Sequence, residues 1–392
     1  MSTAVGSRFD PYAIERDVLL ASLSPDLRRF ELLVRTNAPS LDWHWILDRA
    51  GIHRVTALLA SSVASASLAA ALPSDPVVEL DRVRRRMTRL DHSAAHVIPL
   101  ITYTLDAAGV RFLMLKGRLL SDHVYRDPGR RYFRHIDLLI GREQIAAAVL
   151  ALSQLGYRTA EGIRPSRMAA GREPRSFEWR DRLRLPENDL LIVSHADSEM
   201  LPVRIRDGFG PTLKPRLHLA DLESFTTATV AAGTFLRTLD REATIVHLAL
   251  QVLGATPWMF RLVRLCDFAW AIERNRPDPD RLAALAQAWG ASAELGRALA
   301  LVDRLLGIHP VRDLHLHPMR IPRRWWFDRV LTRRSLVDRT GLRRADPIQP
   351  PIRPLIWAMA AGTLADSSLE RVNLWLRQNW PSPPAREKER PA

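Results

Sequence analysis

The chain has 392 residues, enough for two or three compact units, with 47% apolar and 26% charged residues. That balance excludes a disordered chain, and the single cysteine, Cys266, excludes an intramolecular disulfide or a cysteine-based zinc site. The net charge of +14 comes almost wholly from arginines spread along the chain, so a dedicated nucleic-acid surface is not expected.

The first residues, "MSTAVGSRFDPYAIERD", contain no apolar leader, and no uncharged run approaches the roughly 20 residues needed to span a bilayer. The expected compartment is the cytoplasm. Residues 10 to 108 read as helical. Asp10 is a candidate N-cap with Pro11 in the first turn, and Ser40 is a candidate cap for the segment "SLDWHWILDRAGIHRV". Val83, Met87, Leu90 and Ala94 repeat at steps of three or four, which predicts one long amphipathic helix stopped at Gly109.

The pattern changes at residue 110. "VRFLMLKG" is a short apolar run ending in glycine and predicts a buried strand. "RLLSDHVY" predicts a short helix and "RDPGRR" a turn. "RYFRHIDLLI" (131–140) predicts a second strand, with His135 and Asp137 on one face and Ile136, Leu138 and Ile140 on the other. "GREQIAAAVLALSQLGY" predicts a helix striped by Ile145, Val149, Leu152 and Leu155. "FEWRDRLRLPENDLLIVSHAD" predicts two strands joined by a turn at Pro186 to Asn188. Helical periodicity returns after residue 215. In that region Cys266 and His247 read as core residues. Asp267, inside an apolar helix, needs a partner; Arg264 shares its helical face, and an active-site role is the alternative.

Three pieces carry chemistry. In "LMLKG" (113–117) a strand exit at Gly117 lets backbone N–H groups approach a phosphate, with Lys116 to meet its charge; an ordinary strand exit is the plainer reading. In "HIDLLI" a carboxylate stands two residues after a histidine. Paired acids at this spacing, with a third from a neighbouring strand, hold Mg²⁺ for phosphoryl or nucleotidyl transfer. His135 is instead a nitrogen donor, better suited to Zn²⁺, Mn²⁺ or Fe²⁺, or a polar neighbour that ligates nothing. In "DLLIVSHAD" (189–197), a candidate neighbouring strand, Asp189, Leu191, Val193 and His195 share one face.

Together the run "MLKGRLLSDHVYRDPGRRYFRHIDLLI" and the later "LSQLGY" resemble the uncharacterised bacterial nucleotidyltransferases related to the DNA polymerase β-like superfamily. The match runs through Lys116, Gly117, Tyr125, Asp127, Pro128, Gly129, Arg131, Asp137 and Gly156, within a likeness spanning about residues 40 to 275. The resemblance implies an α+β fold with a small mixed-sheet core, over 109–205; the periodicity places a helical region before it (1–108) and a helical domain after it (206–318), and composition marks a basic Trp/Arg-rich segment with a disordered tail (319–392). It implies an NTP substrate, phosphates held by Lys116, Gly117 and Arg131, and a divalent metal on Asp137, the catalytic carboxylate. That metal would be Mg or Mn, or another transition metal if His135 and His195 are ligands. The acceptor would be a hydroxyl or amine of a small molecule, peptide or protein.

Two departures divide the reading. The family has aspartate where this chain has His135. Its third acid sits in a "VDLHW"-like strand, and the best fit, "IVSHAD", puts Val193 in the acid's place unless Asp189 substitutes. The chain is therefore read either as a nucleotidyltransferase with an atypical metal site or as a catalytically degenerate relative that binds a nucleotide, ligand or partner. In the last segment, "RRWWFDRVLTRR" and "LERVNLWLRQNW" are expected to pack on the helical domain, with peripheral membrane contact or a single-strand nucleic-acid platform as the alternatives.

Overall fold

The computed structural model describes residues 10–159, 191–195, 200–209, 216–253, 260–309 and 337. Four helices open the chain: α1 (Ala13–Ala21), α2 (Arg28–Asn37), α3 (Trp43–Ile52) and α4 (Thr56–Ser65). Helix α3 is capped by Asp42, which accepts the Trp45 N–H, and not by Ser40. Asp10 lies outside α1 and pairs with Arg16 at 2.8 Å. The long helix is α5 (Ser74–Ala107); Gly109 follows it at φ +66°, the left-handed turn that stops it.

A mixed sheet comes next. Its strands are β1 (Phe112–Met114), β2 (Ile136–Ile140), β3 (Tyr157–Thr159), β4 (Leu191–His195), β5 (Val203–Arg206), β8 (Thr226–Ala231) and β9 (Thr234–Leu239), in the order β3-β4-β5-β2-β1-β9-β8. A separate two-stranded ladder joins β6 (Gly208–Phe209) to β7 (Leu217–His218). Helix α6 (Arg118–Leu120) and a π-turn (Ser121–Tyr125) link β1 to the Asp127–Arg130 turn, and α7 (Ile145–Gln154) follows β2. The later helices are α8 (Arg241–Leu253), α9 (Leu262–Asn275), α10 (Pro279–Ala288) and α11 (Ser292–Leu306). The fold is α+β, with the sheet between helical layers. Among the described residues no helix is long and apolar enough to cross a membrane.

The strand β2 is split between two cores, as its period of two requires. Ile136, Leu138 and Ile140 join Phe112, Met114, Val203 and Ile205 under residues of α5 and α7. Leu139 belongs to the larger cluster built by α1–α4 and α8–α11. Asp137 shares Leu139's side.

Two findings depart from the expectations above. The chain from 215 onward does not go straight to helices: β8 and β9 form a hairpin across Ala232 (φ +52°) and Gly233 (φ +73°), a two-residue turn with both φ positive. Strand β9 then pairs in parallel with β1, so the sheet extends past residue 205. The strand beside β2 on its other side is β5, not β4, which pairs only with β3 and β5. The first strand expected before Pro186, the turn after it, Asp189, and the basic segment over 319–392 apart from Val337 lie outside the described residues.

The Asp127–Arg130 turn is pressed onto α5. A Cβ on Gly129 (φ +84°) would lie 2.5 Å from the Thr88 hydroxyl oxygen and 3.0 Å from the Thr88 nitrogen. Gly129→Ala should therefore lower unfolding stability by about 2 kcal/mol or more, combining left-handed strain with overpacking. Urea denaturation checks this, and an unchanged midpoint would show that the turn does not bear on α5.

Candidate functional site

Asp137 is 3% exposed, at the second position of β2. A buried carboxylate must be compensated. The groups around it are cations. In the parallel register Asp137 stands opposite Arg204, and Leu139 opposite Arg206. Arg204 Nη1 lies 3.5 Å and Arg206 Nε 3.7 Å from Asp137 Oδ1. Both are ion pairs too long for hydrogen bonds, and Oδ1 accepts none among the described residues. Burial alone would raise the carboxyl pKa; the fields of Lys116, Arg206, Arg204 and His135 outweigh it and hold the group at about 2.

Lys116 reaches this site from the end of β1. The pairing of β1 with β2 continues one step past the strand, where the Leu115 N–H donates to the Asp137 carbonyl at 3.1 Å. The next residue but one, Gly117, turns the chain at φ +74°, and a Cβ there would come within 3.3 Å of the His135 carbonyl oxygen. Lys116 Nζ donates to Gln251 Oε1 at 2.6 Å, from α8. Gln251 in turn donates to His247 Nε2 at 2.6 Å, and its carbonyl accepts from Arg264 on α9 at 3.2 Å. Burial lowers the Lys116 ammonium to about 8, with Asp137 opposing that and Arg206, Arg264 and Arg204 adding to it. His247 is 1% exposed and driven well below its ordinary value, first by burial and then by Lys116 and Arg206. It is a neutral core histidine, and its ring packs against Phe209 at 4.3 Å.

The remaining expected site residues fall as follows. His135 is partly buried, and its Nε2 accepts from Arg204 Nη2. A ring nitrogen engaged that way has its lone pair on a guanidinium and not on a metal. His195 sits on β4, with β5 between it and β2, so its backbone is two strands away, roughly 10 Å at about 4.8 Å per strand. Arg131, expected at the phosphates, makes a bidentate pair with Asp267 on α9: Nε to Oδ1 at 2.7 Å and Nη2 to Oδ2 at 2.6 Å. Tyr125 donates its hydroxyl to the same carboxylate at 2.9 Å. The partner of Asp267 is thus Arg131 and not Arg264, because the Asp127–Arg130 turn delivers Arg131 to the face of α9 that Asp267 occupies.

A divalent cation of the kind that nucleotidyl transfer uses does not fit this arrangement. Asp137 is a single carboxylate among cations, and no group of three or more His, Cys, Asp or Glu side chains suited to a metal occurs among the described residues. Arg204, Arg206 and Gln251 were not singled out by sequence reasoning. The signal was present for the first two, since "VRIR" alternates aliphatic and arginine at a strand's period.

Comparisons with known proteins agree with the sequence reading at the family level. A family model described as "Uncharacterised nucleotidyltransferase" matches residues 39–307. No curated protein matches the chain. A similar solved structure is that of the antibiotic-resistance factor ANT(2'')-Ia in solution, with 13% identity over 51% of this chain and 93% of that one, at a TM-score of 0.35. A likeness this weak says nothing about activity.

Two outcomes follow from the site. Competitive acetylation with a free amine, read by mass spectrometry at Lys116, should give half-maximal reactivity near pH 8; a midpoint near 10.5 would show that the side chain is not held in this environment. Asp267→Ala should cost about 3–5 kcal/mol in denaturant unfolding, because Arg131 is left charged and buried; an Arg131→Met, Asp267→Leu pair should recover much of that loss.

Proposed function

The chain belongs to the uncharacterised nucleotidyltransferase family, and from that premise we propose that its Lys116–Asp137 site binds the phosphate chain of a nucleoside triphosphate without turning it over. Lys116, Arg204 and Arg206 would meet the phosphate oxygens, and the Gly117 backbone would let the chain approach closely. Asp137 would serve to fix the cations in place. The single observation behind this reading is Arg204 at the register position opposite Asp137. Two-metal transfer requires a cluster of acids. A guanidinium beside the one remaining carboxylate repels a divalent ion.

A second reading keeps turnover. Asp137 stays ionised down to a pH of about 2, so it is charged whenever a Mg or Mn ion is offered. With His135 released from Arg204, the pair would hold the ion, and the nucleotidyl group would pass to a hydroxyl or amine of an unidentified small molecule, peptide or protein.

Calorimetry with ATP, GTP, CTP and UTP, alongside a pyrophosphate-release assay with Mg²⁺ or Mn²⁺, separates the two. Binding of at least one nucleotide with no release above that of Asp137→Asn is the expected result. Metal-dependent release that disappears in Asp137→Asn would establish turnover instead. No binding by any nucleotide under any condition removes both readings.

A further inference from the structure

We infer that Arg204 takes the position of a divalent cation, so that this site recognises a polyphosphate chain with no metal at all. The inference rests on the nucleotide-binding reading above and specifies how that binding is done. Three observations carry it. Arg204 touches both residues expected to ligate the metal: its Nη1 lies 3.5 Å from Asp137 Oδ1, and its Nη2 contacts His135 Nε2. A cation bound there would have to displace the guanidinium from both. The charge also balances without a metal. Two divalent ions on three carboxylates leave a single net positive charge to face the phosphates. Here Lys116, Arg204 and Arg206 against Asp137 leave a larger positive excess among the described residues, and it is fixed covalently. Finally, further arginines stand near Arg204. The guanidinium of Arg54 is lowered first by burial and further by Arg134, Arg264 and Arg204, so these groups lie within one another's reach.

Guanidinium is suited to this task. Its planar fork meets phosphate oxygens in pairs, and it is weakly hydrated, so it gives up less on leaving water than an ammonium does. Its partners are rigid too: Arg204 and Arg206 alternate on a strand paired with β2, and Lys116 is pinned by Gln251. Such a site distinguishes ligands by the number of phosphate charges. Magnesium in solution would then compete with the protein for the phosphate oxygens and weaken binding.

The test is calorimetry on the full chain with ATP and with inorganic tripolyphosphate, each in EDTA and in millimolar Mg²⁺. Binding of both in EDTA is expected, at equal or higher affinity than in Mg²⁺. Arg204→Ala should lose at least about tenfold in EDTA, and Arg204→Lys should recover part of the loss. Binding seen only with Mg²⁺ overturns the inference while leaving the nucleotide-binding reading standing. Equal affinity of Arg204→Ala and the parent chain in EDTA, with matched thermal melts, overturns it too. No binding of either ligand in any buffer overturns the inference, and the underlying reading falls with it only if GTP, CTP and UTP also fail to bind. The comparison of EDTA with Mg²⁺ needs no variant, so a substitution that fails to fold leaves the test decisive.

Discussion

A buried carboxylate in the second position of a strand sets the terms for everything around it. Asp137 cannot keep its charge inside the protein unless cations come to it. Three elements meet that demand: β1 ends where Lys116 can reach, β5 lies parallel to β2 with Arg204 and Arg206 on the same side, and α8 supplies Gln251 to hold Lys116. The cost is visible in the neighbours. Lys116 is drawn down to about 8 and His247 is kept neutral, first because both are buried and then because the neighbouring cations repel any added positive charge. An acid in place of Arg204 would reverse this logic, since two carboxylates facing each other need a cation from solvent.

The helical layers are joined to this core by a second buried charge pair. The Asp127–Arg130 turn is held to α5 by the close fit of Gly129 against Thr88, and this carries Arg131 to Asp267 and Tyr125 to the same carboxylate. Turn, strand and helix are thereby locked in a single arrangement, and the strand that follows the turn places Asp137. Arg131, which the family resemblance places at the phosphates, is thus engaged in holding turn and helix together. The Tyr125 hydroxyl and Arg131 Nε and Nη2 are all engaged by Asp267.

How much of this could be read from the chain depended on the range of the interaction involved. The two faces of β2, the stripe of α7 and the stop at Gly109 follow from local periodicity and from the φ that glycine permits, and they were legible. The hairpin of β8 and β9 was missed because "TTATVAAGTFLRTL" turns on Ala-Gly, which lacks the Asn or Asp that usually marks a two-residue turn. The neighbour of β2 was missed for a deeper reason. A period of two says which residues share a face but not which strand lies alongside, and "LLIVSH" is a stronger strand by composition than "VRIR". Choosing it moved the expected third acid to Val193 and hid the arginine opposite Asp137. The partner of Asp267 was beyond local reasoning too, since Arg131 is 136 residues away in sequence.

What an arginine can and cannot replace decides what such a site does. A divalent ion performs two tasks in nucleotidyl transfer: it neutralises phosphate oxygens and it lowers the pKa of an attacking hydroxyl. A guanidinium performs the first task well, through paired hydrogen bonds at fixed geometry. It cannot perform the second, because it accepts no lone pair from the nucleophile and coordinates nothing. An Arg in place of an acid opposite Asp137 would therefore not weaken the two functions equally. Under the proposed reading it would preserve, and could strengthen, recognition of the phosphate chain, while the step that activates the acceptor would lose its agent. Under that reading Lys116, Gly117 and Asp137 beside Arg204 would form a cradle for phosphate in which the one carboxylate orders cations of the protein's own.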